Sequence, residues 1–178
     1  RLALLYMQEG DFEKADYLQI YTPSLMNTAS ESGAEVFKVD YFGREAFLAQ
    51  SPQFYKQMAM AAGLERVFMV GPVFRAEPSF TPRHMTEFTG WDFEISFIES
   101  HHDVMAEEEK AIVSGFQRVK DALAIDLEIP ALPFPKVSLS EAKQKLKTAG
   151  VKSTRPDDFT PEEERELSKI IKQETGHD

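Results

Sequence analysis

Residues 84–97 alternate between two kinds of side chain, as the two faces of a β-strand do. One parity is mostly apolar and includes Met85, Trp91, Phe93, Ile95 and Phe97. The other parity runs from His84 through Thr86, Phe88, Gly90, Asp92 and Glu94 to Ser96. A glycine lets another group approach the backbone, and two acids two positions apart project from the same face. The pattern predicts a strand with one face on a core and the other forming the floor of a ligand site.

The rest of the chain predicts an α+β fold in which helices flank an antiparallel β-sheet. Further strands are predicted at 18–21, 35–39, 46–48 and 66–74, with a polar loop over 22–34, a turn around Tyr41 to Gly43 and a hairpin tip at 78–82. Helices are predicted from the start to about Gly10, over 52–62, from Ser100 through Leu123, and twice after the prolines at 130, 133 and 135. Ser138 with Glu141, and Thr160 with Glu163, have the spacing of capping boxes.

Two of these helices have a predicted orientation. In the helix over 52–62, Phe54, Met58 and Ala61 are expected to face the core, and Gln53, Lys56 and Met60 form a different stripe. The long helix is expected to pack on the sheet through Met105, Ile112, Phe116, Val119 and Leu123.

Composition narrows the possible functions. The 178 residues contain no cysteine, which excludes disulfides and cysteine-ligated zinc, and no stretch predicts a signal peptide or membrane span. A cytoplasmic protein is expected. A net charge of -10 argues against non-specific nucleic-acid binding, although the acidic runs Glu107 to Glu109 and Glu162 to Glu164 are expected to be solvated helix faces. His101 and His102 begin a helix without further ligands, so no metal site is predicted there.

Three blocks of sequence resemble class II aminoacyl-tRNA synthetases, most closely their aspartate-specific members. LQIYTPSL is similar to the first motif of that family, in which a proline lies at the dimer interface; here it is Pro23. FRAE followed by RHMTEF and WDFE is similar to the second motif, which lines the ATP site. AFLAQSPQFYKQM resembles the amino-acid-binding helix of the aspartate enzymes.

The resemblance implies the first half of a catalytic domain over 1–128, and a proline-rich connector with a small helical segment over 129–178. It implies aspartate–tRNA ligase activity in the cytoplasm by a homodimer, with L-aspartate, ATP and tRNA(Asp) as substrates. Magnesium would accompany ATP, with most of its ligands expected beyond residue 178. The third motif, GxGxxxR, is absent, so the chain alone is expected not to form aspartyl-adenylate.

Roles follow by resemblance for individual residues. Gln53 and Lys56 would select aspartate, Glu31 would meet its α-ammonium group, and Asp92 would lie beside it. Arg75 would contact the α-phosphate and the substrate carboxylate as the catalytic cation. Glu77 would recognise the adenine amino group, Phe88 would stack on the base, and Arg83 and His84 would meet the triphosphate. Ser32 departs from the glycine usual in the family at this position.

Simpler interpretations of the same residues stay open. Gln53, Lys56 and Glu31 are types that solvent ordinarily covers, and an aromatic such as Phe88 is usually core. Two other functions also fit the sequence: a synthetase-like paralogue that activates an amino acid without charging tRNA, or a non-catalytic dimerisation module. The choice between tRNA(Asp) and tRNA(Asn) is not encoded in these motifs.

Overall fold

The computed structural model describes residues 17–29, 36–76 and 85–177. The predicted opening helix, the loop at 78–82 and the candidate residues Glu31, Glu77, Arg83 and His84 lie outside this range. The chain forms two compact units, Arg1–Met105 and Ala106–Asp178. The division predicted after residue 128 stays a prediction.

Six strands and four helices are present in the described part of the chain. The strands are β1 (Leu18–Gln19), β2 (Leu25–Met26), β3 (Lys38–Tyr41), β4 (Arg44–Leu48), β5 (Arg66–Phe74) and β6 (Glu87–Ile95). The helices are α1 (Gln53–Ala61), α2 (His101–Leu123), α3 (Leu139–Thr148) and α4 (Pro161–Thr175). These bounds confirm the α+β class, and they show one strand that the sequence did not predict, since β2 lies in the expected polar loop.

The strands form two three-stranded sheets rather than one. The first has the order β1-β5-β6, with β1 parallel to β5 and β5 antiparallel to β6; the second, β2-β4-β3, is antiparallel throughout. The backbone N–H of Phe74 donates to the carbonyl of Ala49 at 2.9 Å. That bond holds Ala49, which follows β4, beside the carboxyl end of β5. Arg75 is the next residue after that end.

The β3–β4 hairpin closes on the predicted turn. Tyr41 pairs with Arg44, and both turn residues have left-handed backbone conformations, with φ of 53° at Phe42 and 74° at Gly43. Two such residues match the turn type that fits the twist of a two-residue hairpin. The Asp40 carboxylate accepts a hydrogen bond from the Gly43 N–H at 3.0 Å and fixes the turn.

Helix α1 faces the opposite way from the prediction. Phe54 and Met58 are 44% and 64% exposed, whereas Lys56 is 3% exposed, and α1 packs on β5 and β6. The prediction was wrong because it sorted side chains by hydropathy alone. The sheet offers Lys56 two carboxylates, and these anions decide which stripe turns inward.

The face of β6 that the sequence predicts to be apolar is only partly buried. Met85 is 66% exposed and Phe97 is 88% exposed, so the prediction that they face a core was wrong for the described residues. Trp91, Phe93 and Ile95 are half-buried, and the Phe93 ring meets that of Tyr17 edge-on at 6.0 Å. Val67 and Phe68, on the two faces of β5, are fully buried.

The stripe predicted for α2 is also displaced. Ala111 and Gly115 are buried, while Phe116 and Leu123 are 38% and 45% exposed. Small residues at the most buried positions let neighbouring backbone approach closely. Packing of this helix on the sheet stays a prediction.

Two glutamates of the acidic runs are buried rather than solvated, which corrects the prediction. Glu109 is 8% exposed and pairs with Lys136 at 3.0 Å, and Glu163 is 1% exposed and pairs with Lys143 at 2.9 Å. A buried carboxylate is tolerated where a cation and hydrogen bonds replace water.

Both predicted capping boxes are present. The Glu141 N–H donates to the Ser138 hydroxyl at 3.3 Å, and the Thr160 N–H donates to Glu163 Oε2 at 2.7 Å. Glu163 therefore caps α4 and ties it to α3 through Lys143. Hydrogen bonds from Ser153, then Lys143 and then the Thr160 backbone lower the pKa of Glu163 to about 2.

That lowered pKa predicts acid sensitivity of the α3–α4 pair. The ionised form is favoured in the folded state, so the contribution of Glu163 to stability is complete above its ordinary pKa of 4.5 and declines as pH falls towards about 2. We expect Glu163→Gln to lower the melting temperature at pH 7 and to flatten its dependence on pH in this window. Thermal unfolding followed by circular dichroism at several pH values measures both effects.

Glu162→Gln is the matched control, because Glu162 is exposed in the same helical turn. Equal pH profiles for the two variants would show that the buried pair does not contribute.

Candidate functional site

Lys56 lies at the centre of a charged cluster between α1 and β6. Its ammonium group donates to Asp92 Oδ1 at 2.7 Å and to the Phe93 carbonyl at 3.3 Å, and it lies 3.1 Å from Glu94 Oε2. The Lys56 side chain is 4% exposed, whereas those of Asp92 and Glu94 are 35% and 25% exposed. The Lys56 ammonium group is therefore held inside the protein, and the two carboxylates remain partly exposed.

The amino end of α1 adds positive potential to the same place. The Ser51 hydroxyl accepts from the Gln53 N–H at 3.3 Å, and Lys56 closes the first helical turn by donating its N–H to the Pro52 carbonyl at 3.0 Å. Gln53 Nε2 reaches Glu94 Oε2 at 3.5 Å. Gln53 and Lys56 are one helical turn apart, so both side chains contact β6. They extend from the amino end of α1, which favours anions.

Arg75 and Phe88 form a second pair, farther along the hairpin. The Arg75 guanidinium carbon lies 5.7 Å from the centre of the Phe88 ring, a cation–π distance. Arg75 continues the β5–β6 ladder by donating its N–H to the Thr86 carbonyl at 2.9 Å. Its Nε is buried and has no hydrogen-bond acceptor among the described residues.

The sheet register places these residues on one face. Phe88 is opposite Val73, Asp92 is opposite Met69 and Glu94 is opposite Val67, and side chains directly opposite each other share a face. Arg75 has the parity of Val73 and Met69. The structure therefore brings Gln53, Lys56, Arg75, Phe88, Asp92 and Glu94 to the same side of β5 and β6.

The glycine predicted to open the backbone to a ligand has another explanation. Gly90 is opposite Gly71, and a Cβ at Gly90 would lie 2.8 Å from a methyl group of Val73. Val73 is 3% exposed. A Val73 methyl group therefore occupies part of the space above Gly90, and access of a ligand to the backbone there stays a prediction.

No group of three His, Asp or Glu side chains in the residues that the structure describes could hold a metal ion, so a magnesium site stays an expectation. His101 and His102 begin α2 with their ring centres 4.2 Å apart. Sequence reasoning assigned Glu94 only to the floor, although it contacts both Lys56 and Gln53; its two-residue spacing from Asp92 was the available signal.

The family model for class II tRNA synthetases (D, K and N) matches residues 4–178. The chain belongs to this family. The resemblance inferred from the three sequence blocks is thereby confirmed, and with it the incomplete class II synthetase core.

The relatives of this class II synthetase chain include two archaeal proteins. It is 45% identical over 171 residues to the aspartate–tRNA(Asp/Asn) ligase of Aeropyrum pernix, covering 91% of this chain and 39% of that protein. It is 44% identical over 164 residues to the aspartate–tRNA(Asp/Asn) ligase of Methanoculleus marisnigri, covering 88% of this chain and 38% of that protein. The chain thus spans well under half the length of these relatives.

A solved structure shows the same fold. The asparaginyl-tRNA synthetase of Pyrococcus horikoshii complexed with asparaginyl-adenylate superposes with a TM-score of 0.83 and 32% identity, covering 95% of this chain and 41% of that one. No helix in the described part of this synthetase chain is long and apolar enough to cross a membrane.

Proposed function

We propose that this chain is part of an aspartate–tRNA ligase, which activates L-aspartate with ATP and transfers it to tRNA. The supporting observation is Lys56, buried at the floor of the β5–β6 face and held by Asp92 and Glu94. A fixed cation there suits a substrate whose side chain ends in a carboxylate. Both archaeal relatives described above are named aspartate–tRNA ligases.

The activation step needs charge stabilisation more than proton transfer. An oxygen of the aspartate α-carboxylate attacks the α-phosphorus of ATP, the bond to the β-phosphate oxygen breaks, and pyrophosphate leaves. Arg75 is assigned to the α-phosphate and the α-carboxylate, because its planar guanidinium can serve two anions at once. Phe88, in contact with Arg75, is assigned to the adenine face.

Asp92 is assigned to the substrate ammonium group as well as to Lys56, since its carboxylate keeps an open side. The proposed contacts to substrate and nucleotide also include Glu31, Glu77, Arg83 and His84. Magnesium is expected to arrive with ATP.

Electrostatic balance indicates that more positive charge is needed for aspartate. Lys56 contributes one positive charge and its partners Asp92 and Glu94 two negative charges, which leaves -1 in the cluster. Since Asp92 and Glu94 already partner Lys56, the ammonium group and the amino end of α1 would attract an incoming side-chain carboxylate only weakly, and a further cation would strengthen its binding. We therefore propose that a further cation joins the site in the complete enzyme.

A homodimer is part of the proposal. Pro23 is exposed between Tyr21 and Leu25, whose exposed fractions are 81% and 41%. Three apolar side chains at alternating positions on the surface suit burial against a second subunit.

A chimera tests the function directly. In it, this chain replaces the matching part of the Methanoculleus marisnigri relative. We expect aspartate-dependent pyrophosphate exchange, with kcat/KM for L-aspartate at least about 100-fold above that for L-asparagine, because asparagine lacks the carboxylate that the amino end of α1 and the Lys56 ammonium group would hold. The 178-residue chain alone is expected to give no exchange.

Equal exchange with the two amino acids would contradict the assignment of aspartate. A folded chimera without exchange, beside an active parent enzyme, would contradict the proposed function as a whole.

A further inference from the structure

A second charged feature lies far from the site in sequence, around the turn between α3 and α4. Residues 142–156 contain no acid and five basic side chains: Lys143, Lys145, Lys147, Lys152 and Arg155. In a chain of net charge -10 this is a local reversal of sign. At physiological ionic strength charges are screened within about 8 Å, so the local excess governs what binds here.

The basic residues surround a cavity, which we call the turn pocket. Its volume is about 750 Å³, and it is lined by Lys143, Lys147, Gly150, Val151, Lys152, Ser153, Thr154 and Pro156. This lining includes three ammonium groups and two hydroxyl groups and no carboxylate. Such a set of donors matches phosphate oxygens.

The helix end shapes the turn pocket. Gly150 has a left-handed φ of 80°, its N–H donates to the Lys147 carbonyl at 3.0 Å, and the Val151 N–H donates to the Leu146 carbonyl at 2.9 Å. The chain therefore reverses directly after α3 and returns Lys152 towards the last turn of the helix. Lys143 and Lys147 lie one helical turn apart on the same side of α3.

Lys143 makes the opposite wall rigid. Its ammonium group donates to the Ser153 hydroxyl at 2.8 Å, pairs with Glu163 at 2.9 Å and lies 4.5 Å from the Phe159 ring centre. A wall that is already fixed loses little entropy when a ligand binds.

Two of the remaining basic side chains pair with an acid, and the other two are exposed. Lys145 pairs with Glu174, and Arg155 pairs with Asp158 at 3.3 Å. Lys147 and Lys152 are exposed, and neither makes an ion pair within the part of the chain that the structure describes. Stabilisation of the α3 dipole would explain a lysine at position 147. It would not explain Lys152, which lies beyond the end of α3.

We propose that the turn pocket binds the phosphodiester backbone of RNA through Lys147 and Lys152. The partner is a polyanion because two unneutralised ammonium groups and two hydroxyls line one cavity without any acid. The choice of tRNA as that RNA rests on the proposed function. The binding itself would be independent of sequence, because phosphate contacts position an RNA without reading its bases.

The test measures RNA binding by the 178-residue chain. A fluorescein-labelled tRNA(Asp) transcript is titrated with protein, and anisotropy is followed as KCl is raised from about 50 mM to about 200 mM. For Lys147→Gln/Lys152→Gln, we expect about tenfold weaker binding at the low end of this range. The slope of log K against log salt should become shallower by about 1.4–1.8, because two phosphate contacts are lost.

Lys110→Gln/Lys169→Gln is the matched control. Both lysines are exposed, each pairs with a glutamate one turn away on its own helix, and the change in net charge is the same. The control should keep the wild-type slope, and both double variants should keep the wild-type melting temperature because the four side chains lie on the surface.

Three results would overturn the proposal: equal changes of slope in the two double variants, no binding of tRNA by the wild type at about 50 mM KCl, or loss in the pocket variant of binding to poly-L-glutamate but not to RNA. The last result would assign the turn pocket to an acidic protein. Pyrophosphate exchange by the chimera requires no tRNA, so loss of exchange with the expected change of slope would refute the proposed function alone.

Discussion

Replacing Lys56 by methionine is expected to lower aspartate-dependent pyrophosphate exchange by the chimera about 100- to 1,000-fold. Lys56 is almost completely buried, and methionine retains most of its volume without the charge. Removing one member of a buried charge pair costs about 2–5 kcal/mol, much of which comes from the charges left unpaired. Here the unpaired charges would be Asp92, Glu94 and the aspartate side chain.

The substitution should impair the use of L-aspartate and leave the binding of ATP unchanged. We expect the KM for L-aspartate or the kcat to change, with the KM for ATP within about twofold of the wild type. Within the described part of the chain, the Lys56 ammonium group contacts Asp92, Phe93 and Glu94, at the end of the face assigned to aspartate. Lys38→Met is the control, since Lys38 is an exposed lysine paired with Glu45 at 3.0 Å.

A double variant separates binding from folding. Lys56→Met/Glu94→Gln removes the cation together with one of its two anions, so it should recover part of any stability lost in Lys56→Met. If exchange recovers together with the melting temperature, Lys56 has only a structural role and the assignment fails.

The same cluster shows how far sequence reasoning could go. The β5–β6 hairpin, α1 and both capping boxes follow from local signals: alternation, a serine and proline before a helix, and a Ser or Thr three residues before Glu. Those signals are short-range, and the structure reproduces them. The side of α1 that faces the sheet is not a local property, because it depends on what β6 presents from more than 30 residues away.

Burial of charge was missed for the same reason. Glu163 was expected in solvent as one of three consecutive glutamates, and its burial depends on Lys143, 20 residues earlier. Exposure of Met85 and Phe97 was missed because alternation marks a face as apolar without saying that the described chain covers it. The family motifs did single out Lys56, Arg75, Phe88 and Asp92, which the structure brings to one face. A motif encodes contacts that no pattern of hydropathy contains.

Arg75→Lys is expected to lower the kcat of the chimera about 100- to 1,000-fold. Loss of one preorganised donor to a developing negative charge costs about this much in other enzymes. Lysine keeps the positive charge but cannot present two parallel donors, so two anions could no longer be held together. The buried Nε without an acceptor among the described residues is the structural sign of this role, because an unsatisfied donor costs about 1–3 kcal/mol unless a ligand supplies the acceptor.

Single-turnover formation of aspartyl-adenylate measures the effect at the chemical step. Arg66→Lys is the matched control, since Arg66 begins the same strand and lies 5.4 Å from the Tyr17 ring centre, a cation–π pair like that of Arg75. Arg66 is opposite Ile95, which has the parity of the other sheet face. Equal losses of rate in the two variants would show that Arg75 supports the strand and does not contact the reacting phosphate.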